Sequence, residues 1–195
     1  MNRFEKQINF IIEIDKLKNV FRQSLVTKSL RNENDAEHSW HLCMMAILLE
    51  EYAPYGTDIL KSIKMILIHD LVEIYAGDTY LYDEDKNSTK AKREEDAAKK
   101  LYGMLDKEQG EYLCKLWHEF DEAKTKEAIF ANILDRLQPM LLNYFTDGVA
   151  WKKHSISQKQ VIEKGNFVFE KANNNIKSLR DEIIKKSVEK GYLLP

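Results

Sequence analysis

Only 7 glycines and 3 prolines occur in 195 residues, less than half of the roughly 12% that these two residues make up in an average chain. A β-sandwich or barrel needs tight turns throughout, so this scarcity confines the chain to helices joined by few loops. Charged residues are 32% and hydrophobic residues 44% of the total. That balance suits amphipathic helices with solvated outer faces and excludes a disordered chain.

Apolar spacing is helical almost throughout. Phe4, Ile8, Ile11, Ile12 and Leu17 mark a first helix near 3–18, followed by a connector over 19–34. Asn34 with Glu37 reads as a capping box, opening a helix over about 36–52. Thr57 or Asp58 caps the next, carried by Ile59, Leu60, Ile63, Ile66 and Leu67 to about Tyr75. The segment 76–88 is irregular. Further helices are expected over 89–105, from an Asp106/Gln109 capping box to Phe120, over 125–147 with Pro139 as a kink, from a Ser157/Gln160 capping box to Asn173, and to about Lys190. The expectation is an all-α bundle of about seven helices without a strand. It forms a single domain over 1–195, with a core at about 4–175 and a C-terminal helix at about 176–190.

Lys and Arg number 30 against 32 Asp and Glu, for a net charge of −2, so nothing in the charge argues for nucleic-acid binding. No apolar run approaches the ~18 residues of a membrane span. The first residues carry charges of both signs and no leader-like apolar segment. The two cysteines, Cys43 and Cys114, form no CxxC pair. A cytoplasmic protein is expected.

The chemistry concentrates around His69-Asp70, an imidazole–carboxylate pair at the end of the apolar run Met65-Ile66-Leu67-Ile68. Such a pair is costly to bury unless it is partnered or bound to a cation. Glu73 lies four residues after His69 and three after Asp70, on the same helical face. His38 stands in the first turn of its helix, and Asp135 interrupts another apolar helix. Two imidazoles and two carboxylates make a mixed N/O ligand set suited to a borderline or hard divalent ion, with Co, Mn, Mg, Zn, Fe and Ni not distinguished. His41, three residues past His38, reads as a polar flank of the site or a core histidine; His118 and His154 read as surface residues. Trp40, Trp117 and Trp151 read as core or interface anchors.

The order His38, His69-Asp70, Asp135 on an all-α chain resembles the HD-domain metal-dependent phosphohydrolase superfamily. The stretches Arg31–Trp40 and His69–Asp78, with Arg93-Glu94-Glu95 and Leu116–Phe120, resemble its 5′-deoxynucleotidase branch, and the resemblance spans about residues 4–175. It implies that His38, His69, Asp70 and Asp135 hold a divalent cation, and that Glu73 and Asp78 are the acid/base and water-orienting carboxylates. It also implies a second cation near Glu73, Asp78 and Thr79. The branch's nucleotide-gripping Arg–Trp pair falls on Arg22 and Gln23. Gln23 replaces the aromatic residue, which puts a strict deoxyribose preference in doubt. For the phosphate, Lys16, Lys18, Lys28 and Arg31 stand beside Arg22 as candidates.

The activity implied is removal of the 5′-phosphate from (deoxy)nucleoside 5′-monophosphates, by a homodimer acting on a small nucleotide rather than on nucleic acid or membrane. Two alternatives stay open. One is hydrolysis of another small phosphoester or a (p)ppGpp-like nucleotide. The other is an inactive metal- or ligand-binding HD module.

Overall fold

The computed structural model describes residues 1–195. Ten α-helical segments follow in chain order: α1 Arg3–Ile14, α2 Asp35–Leu48, α3 Ile59–Ile68, α4 Glu73–Ala76, α5 Glu84–Tyr102, α6 Lys107–Glu122, α7 Lys126–Phe145, α8 Val149–Lys153, α9 Gln158–Phe169 and α10 Asn174–Glu189. The count is higher than expected because the helix expected over 58–75 is divided into α3 and α4 and because α8 is an additional single turn. The capping boxes at Asn34/Glu37 and Ser157/Gln160 form as the sequence suggests, and Asp58 caps α3.

Asp106 precedes α6 but caps nothing. Its Oδ1 accepts from Lys6 Nζ at 2.5 Å, and Gln109 accepts from Gln7 at 2.9 Å, so both side chains are drawn to α1 instead. Helix α5 starts five residues earlier than expected because Asp83 accepts from Lys86 N and caps it. Helix α7 runs through Pro139 without interruption.

The 19–34 connector holds two strands where none was expected. Strands β1 (Phe21–Leu25) and β2 (Asn32–Asn34) pair antiparallel, with Phe21 opposite Asn34 and Leu25 opposite Asn32. Neither strand has the run of β-branched and aromatic residues that would announce it. The ribbon is held by tertiary contacts with α7 and α8 and by the Asn32 amide, which donates to the Arg22 carbonyl.

Helix α7 is the axis of the molecule. It packs against α2, α3, α6, α9 and α10, and Phe130, Ile133, Leu134 and Leu137 are fully buried on it. Helix α1 is different: Phe4, Ile8, Ile11 and Ile12 are exposed, and only Phe10 is buried. Trp40 is also exposed, while Trp117 and Trp151 are core residues.

The expected helix over 58–75 breaks after Ile68, and the break places the HD pair. The carbonyls freed there are satisfied from neighbouring helices. Tyr102 Oη donates to Ile68 O at 3.3 Å, and Trp117 Nε1 donates to His69 O at 3.2 Å. The chain turns through His69–Val72, resumes as α4, and stops at Gly77, whose φ of +75° suits a residue without Cβ. Asp78 and Thr79 follow directly into the site.

Candidate metal centre and cleft

His38, His69 and Asp135 come from α2, the end of α3 and α7, and their ligand atoms lie within 4.8 Å of one another, all buried. His38 Nε2 is 3.0 Å from Asp135 Oδ1, and His69 Nε2 is 3.6 Å from the same oxygen. Asp70 completes the group, with Oδ2 3.0 Å from His69 Nε2 and 3.9 Å from His38 Nε2.

The opposite ring nitrogens decide the tautomers. His69 Nδ1 lies 2.7 Å from the Ile66 carbonyl, which can only accept, so Nδ1 carries the proton. His38 Nδ1 donates to Gln138 Oε1 at 3.1 Å. That amide is fixed in turn, because Gln138 Nε2 donates to Glu33 Oε1 at 2.7 Å and to His41 Nδ1 at 3.1 Å. Both Nε2 lone pairs therefore face carboxylate oxygens. Lone pair against lone pair at 3.0 Å is repulsive unless a cation or a proton lies between.

His69 Nε2 is indeed buried without a hydrogen-bond partner. Burial pushes its pKa down, but the Asp70 and Asp135 carboxylates prevail and bring it up to about 10. Burial and the Arg22 charge instead push His38 down to about 4. The orphaned nitrogen and the N/N/O donor set fit a divalent ion.

A second acidic group adjoins the first. Carboxylate oxygens of Asp35, Glu73 and Asp78 lie within 4.8 Å of one another. Asp35 Oδ2 and Glu73 Oε2 are both buried and unpartnered. Burial, reinforced by Asp70 and Asp35, holds the Glu73 carboxyl well above the ordinary range. Burial and Asp70 bring Asp35 up to about 7 against the pull of Arg22; burial also raises Asp78. The Thr79 hydroxyl beside them accepts from Arg93 Nη2 at 2.8 Å. Asp35 is a third carboxylate of this group, beyond the expected Glu73 and Asp78. It was legible only as part of the capping sequence, although it lies three residues before His38 on the same helical face. Gln138, three residues after Asp135, carries the same unread signal.

Arg22 on β1 sits beside both groups. Its Nη1 donates to Asp70 Oδ2 at 2.7 Å and to Asp35 Oδ1 at 3.0 Å. Gln23 lines the cleft farther out, where its Oε1 accepts from His154 Nε2 at 3.1 Å. His154 is exposed, yet it packs on Tyr80 with ring centroids 4.6 Å apart. His118 is exposed beside Glu95, away from the site. The cleft, of about 240 Å³, joins the histidine–carboxylate floor to a wall of Tyr80, Tyr82, Trp151 and Phe167.

This combination of helical frame, buried imidazole–carboxylate cluster and adjoining cleft defines a metal-dependent hydrolase. The chain belongs to the HD-domain family, whose pattern matches residues 14–177. It is 25% identical to 5′-deoxynucleotidase HDDC2 of Danio rerio over 91% of this chain and 88% of that protein. To the Dictyostelium discoideum protein of the same name it is 30% identical, over 66% of this chain and 71% of that one. A predicted metal-dependent phosphohydrolase from Magnetospirillum magnetotacticum MS-1 superposes with a TM-score of 0.93 at 43% identity, covering 99% and 96% of the two chains. No helix is long and apolar enough to cross a membrane.

Proposed function

We propose that the protein removes the 5′-phosphate from (deoxy)nucleoside 5′-monophosphates. The observation that carries this reading is the pair of Nε2 lone pairs facing Asp135 and Asp70, opened onto the cleft. The names of the relatives support the same substrate class.

His38, His69, Asp70 and Asp135 would hold the cation, and Glu73, Asp78 and Asp35 would take a second one if two bind. A divalent ion at the first group supplies a water of lowered pKa and polarised phosphoryl oxygens. The rest falls to the side chains. Glu73, whose ionisation burial opposes, gives a proton to the leaving 5′-oxygen or exchanges one with the attacking water. Asp78 orients that water. Arg22 holds Asp35 and Asp70 in register and offsets their charge. Gln23 and Tyr80 face the nucleoside. Gln23 stands where the resembled branch carries an aromatic residue, so ribonucleotides are accepted alongside deoxyribonucleotides.

The test is phosphate release from a panel of ribo- and deoxyribonucleoside 5′-monophosphates. The chelator-stripped protein is given Co²⁺, Mn²⁺, Mg²⁺ or Zn²⁺ in turn, with Asp70→Ala as control. Release that depends on metal and is lost in the control is expected, with a ribo/deoxy ratio within about tenfold, as one sugar hydroxyl without a dedicated buried partner discriminates weakly. Release only from another phosphoester would replace the substrate assignment.

The same reading places the protein in the cytoplasm as a single domain and a homodimer. Exposed Phe4, Ile8, Ile11 and Ile12 on α1 are the apolar surface a second copy would cover. Sedimentation should give about twice the 22.9 kDa chain mass; a monomer at micromolar concentration would remove the dimer from the proposal.

A further inference from the structure

Arg22 matches the position expected to grip phosphate, but its Nη1 is already shared between Asp35 and Asp70. The less committed cation of the cleft is Arg136. It follows Asp135 on α7, and neighbouring helical positions diverge by ~100°. Asp135 therefore reaches the imidazoles while Arg136 reaches the cleft wall.

The two Asp135 oxygens have separate tasks. Oδ1 faces His38 and His69, and Oδ2 lies 3.4 Å from Arg136 Nη1. That single long contact is not the two-bond fork an arginine makes with a carboxylate it is built to hold. Arg136 Nε is buried and has no acceptor, which is rare for a purely structural arginine. The guanidinium carbon lies 6.0 Å from the centre of the Phe167 ring, which offers no acceptor.

Lys90 enters the same cleft from α5, with Nζ 3.4 Å from Glu94 Oε1. Arg136 and Lys90 both line the cleft, so two cationic groups are available to one anion there. Both border the histidine–carboxylate floor where the reacting phosphorus must sit.

Resting on the nucleotidase reading, we propose that Arg136, assisted by Lys90, binds the non-bridging oxygens of the phosphoryl group that is removed, and that Arg22 serves to hold Asp35 and Asp70 in place. The planar guanidinium offers Nε and Nη donors in the fork geometry that a phosphate monoester accepts. The Asp135 contact keeps that fork beside the metal centre, so the same helical turn supplies a metal ligand and a phosphate donor.

The probe is inorganic phosphate, the product common to every phosphomonoester, titrated calorimetrically into the full-length metal-loaded protein. Arg136→Gln should weaken phosphate binding roughly ten- to hundredfold, the worth of one or two hydrogen bonds to a charged group. Lys90→Gln should weaken it less, and Arg136→Lys should recover part of the loss. Lys86→Gln, an exposed lysine on the same helix, should change nothing. Metal content by elemental analysis should match the wild type throughout. With a turned-over nucleotide, KM should rise more than kcat falls.

Phosphate affinity unchanged within twofold in Arg136→Gln would overturn the assignment. So would loss of metal from that variant, which would show Arg136 acting through Asp135. A wild type that binds no phosphate would overturn it too. The titration needs no turnover. If no nucleotide is hydrolysed while phosphate binding still depends on Arg136, the substrate reading fails and the anion site stands.

Discussion

Replacing Glu73 by glutamine should lower kcat by about 10²–10⁴-fold, the usual worth of a positioned general acid or base, while metal stays bound. Glutamine keeps the volume and the chain length of a side chain only 4% exposed, so packing on α4 is undisturbed. It cannot lose or return a proton. The wild-type carboxyl is suited to that exchange because burial, helped by Asp70 and Asp35, opposes its ionisation. Its Oε2 has no protein partner. Asp78→Asn should cost less, since orienting a water is worth less than transferring a proton. Phosphate release measured alongside metal content separates the roles. A Glu73→Gln enzyme with near-normal rate would remove Glu73 from the reaction, and one stripped of metal would make it a ligand instead.

The buried histidine–carboxylate cluster was legible because its residues violate their surroundings. A histidine and an aspartate closing the run Met65–Ile68, and an aspartate inside Ala131–Leu137, are polar groups where periodicity demands apolar ones, and each proved buried at the site. Asp35 and Gln138 escaped for the opposite reason. Asp35 stands in a helix first turn, where an acidic residue is ordinary, and Gln138 is a neutral residue in a long helix; only the fold shows them 0% exposed. The β1–β2 ribbon was illegible because its pairing is imposed by α7, α8 and the Arg22 ion pairs, not by strand-forming residues. The break after Ile68 was hidden similarly. Its freed carbonyls are satisfied by Tyr102 and Trp117, over 30 residues away along the chain. The α1 stripe was read correctly as helical, but its outward face depends on what the rest of the chain leaves uncovered.

Removing the metal should lower the melting temperature by about 5–10 °C. An ion present at a hundred times its dissociation constant stabilises by about 2.7 kcal/mol, and each kcal/mol moves the midpoint of a domain this size by about 2–4 °C. The shift should grow between pH 6.5 and 8, and its sign follows from His69. In the metal-free protein the Asp70 and Asp135 carboxylates overcome burial and raise the imidazole to about 10. A raised histidine contributes stability that is fully present below its unfolded pKa near 6.5 and is lost as pH rises through about 10. Across the window of the experiment the ion must therefore displace a proton from His69 Nε2, and its apparent affinity rises with pH. Asp135→Asn should abolish the metal-induced shift whatever its own baseline. Its amide cannot neutralise the cation, yet it keeps the volume of a side chain packed between His38 and His69. Calorimetric melts of both proteins, with and without Mn²⁺ at the two pH values, supply the comparison. A shift that survives in Asp135→Asn would place the ion at Asp35, Glu73 and Asp78 rather than on the histidines. A wild-type shift that shrinks as pH rises would mean that no proton leaves His69 when the ion binds.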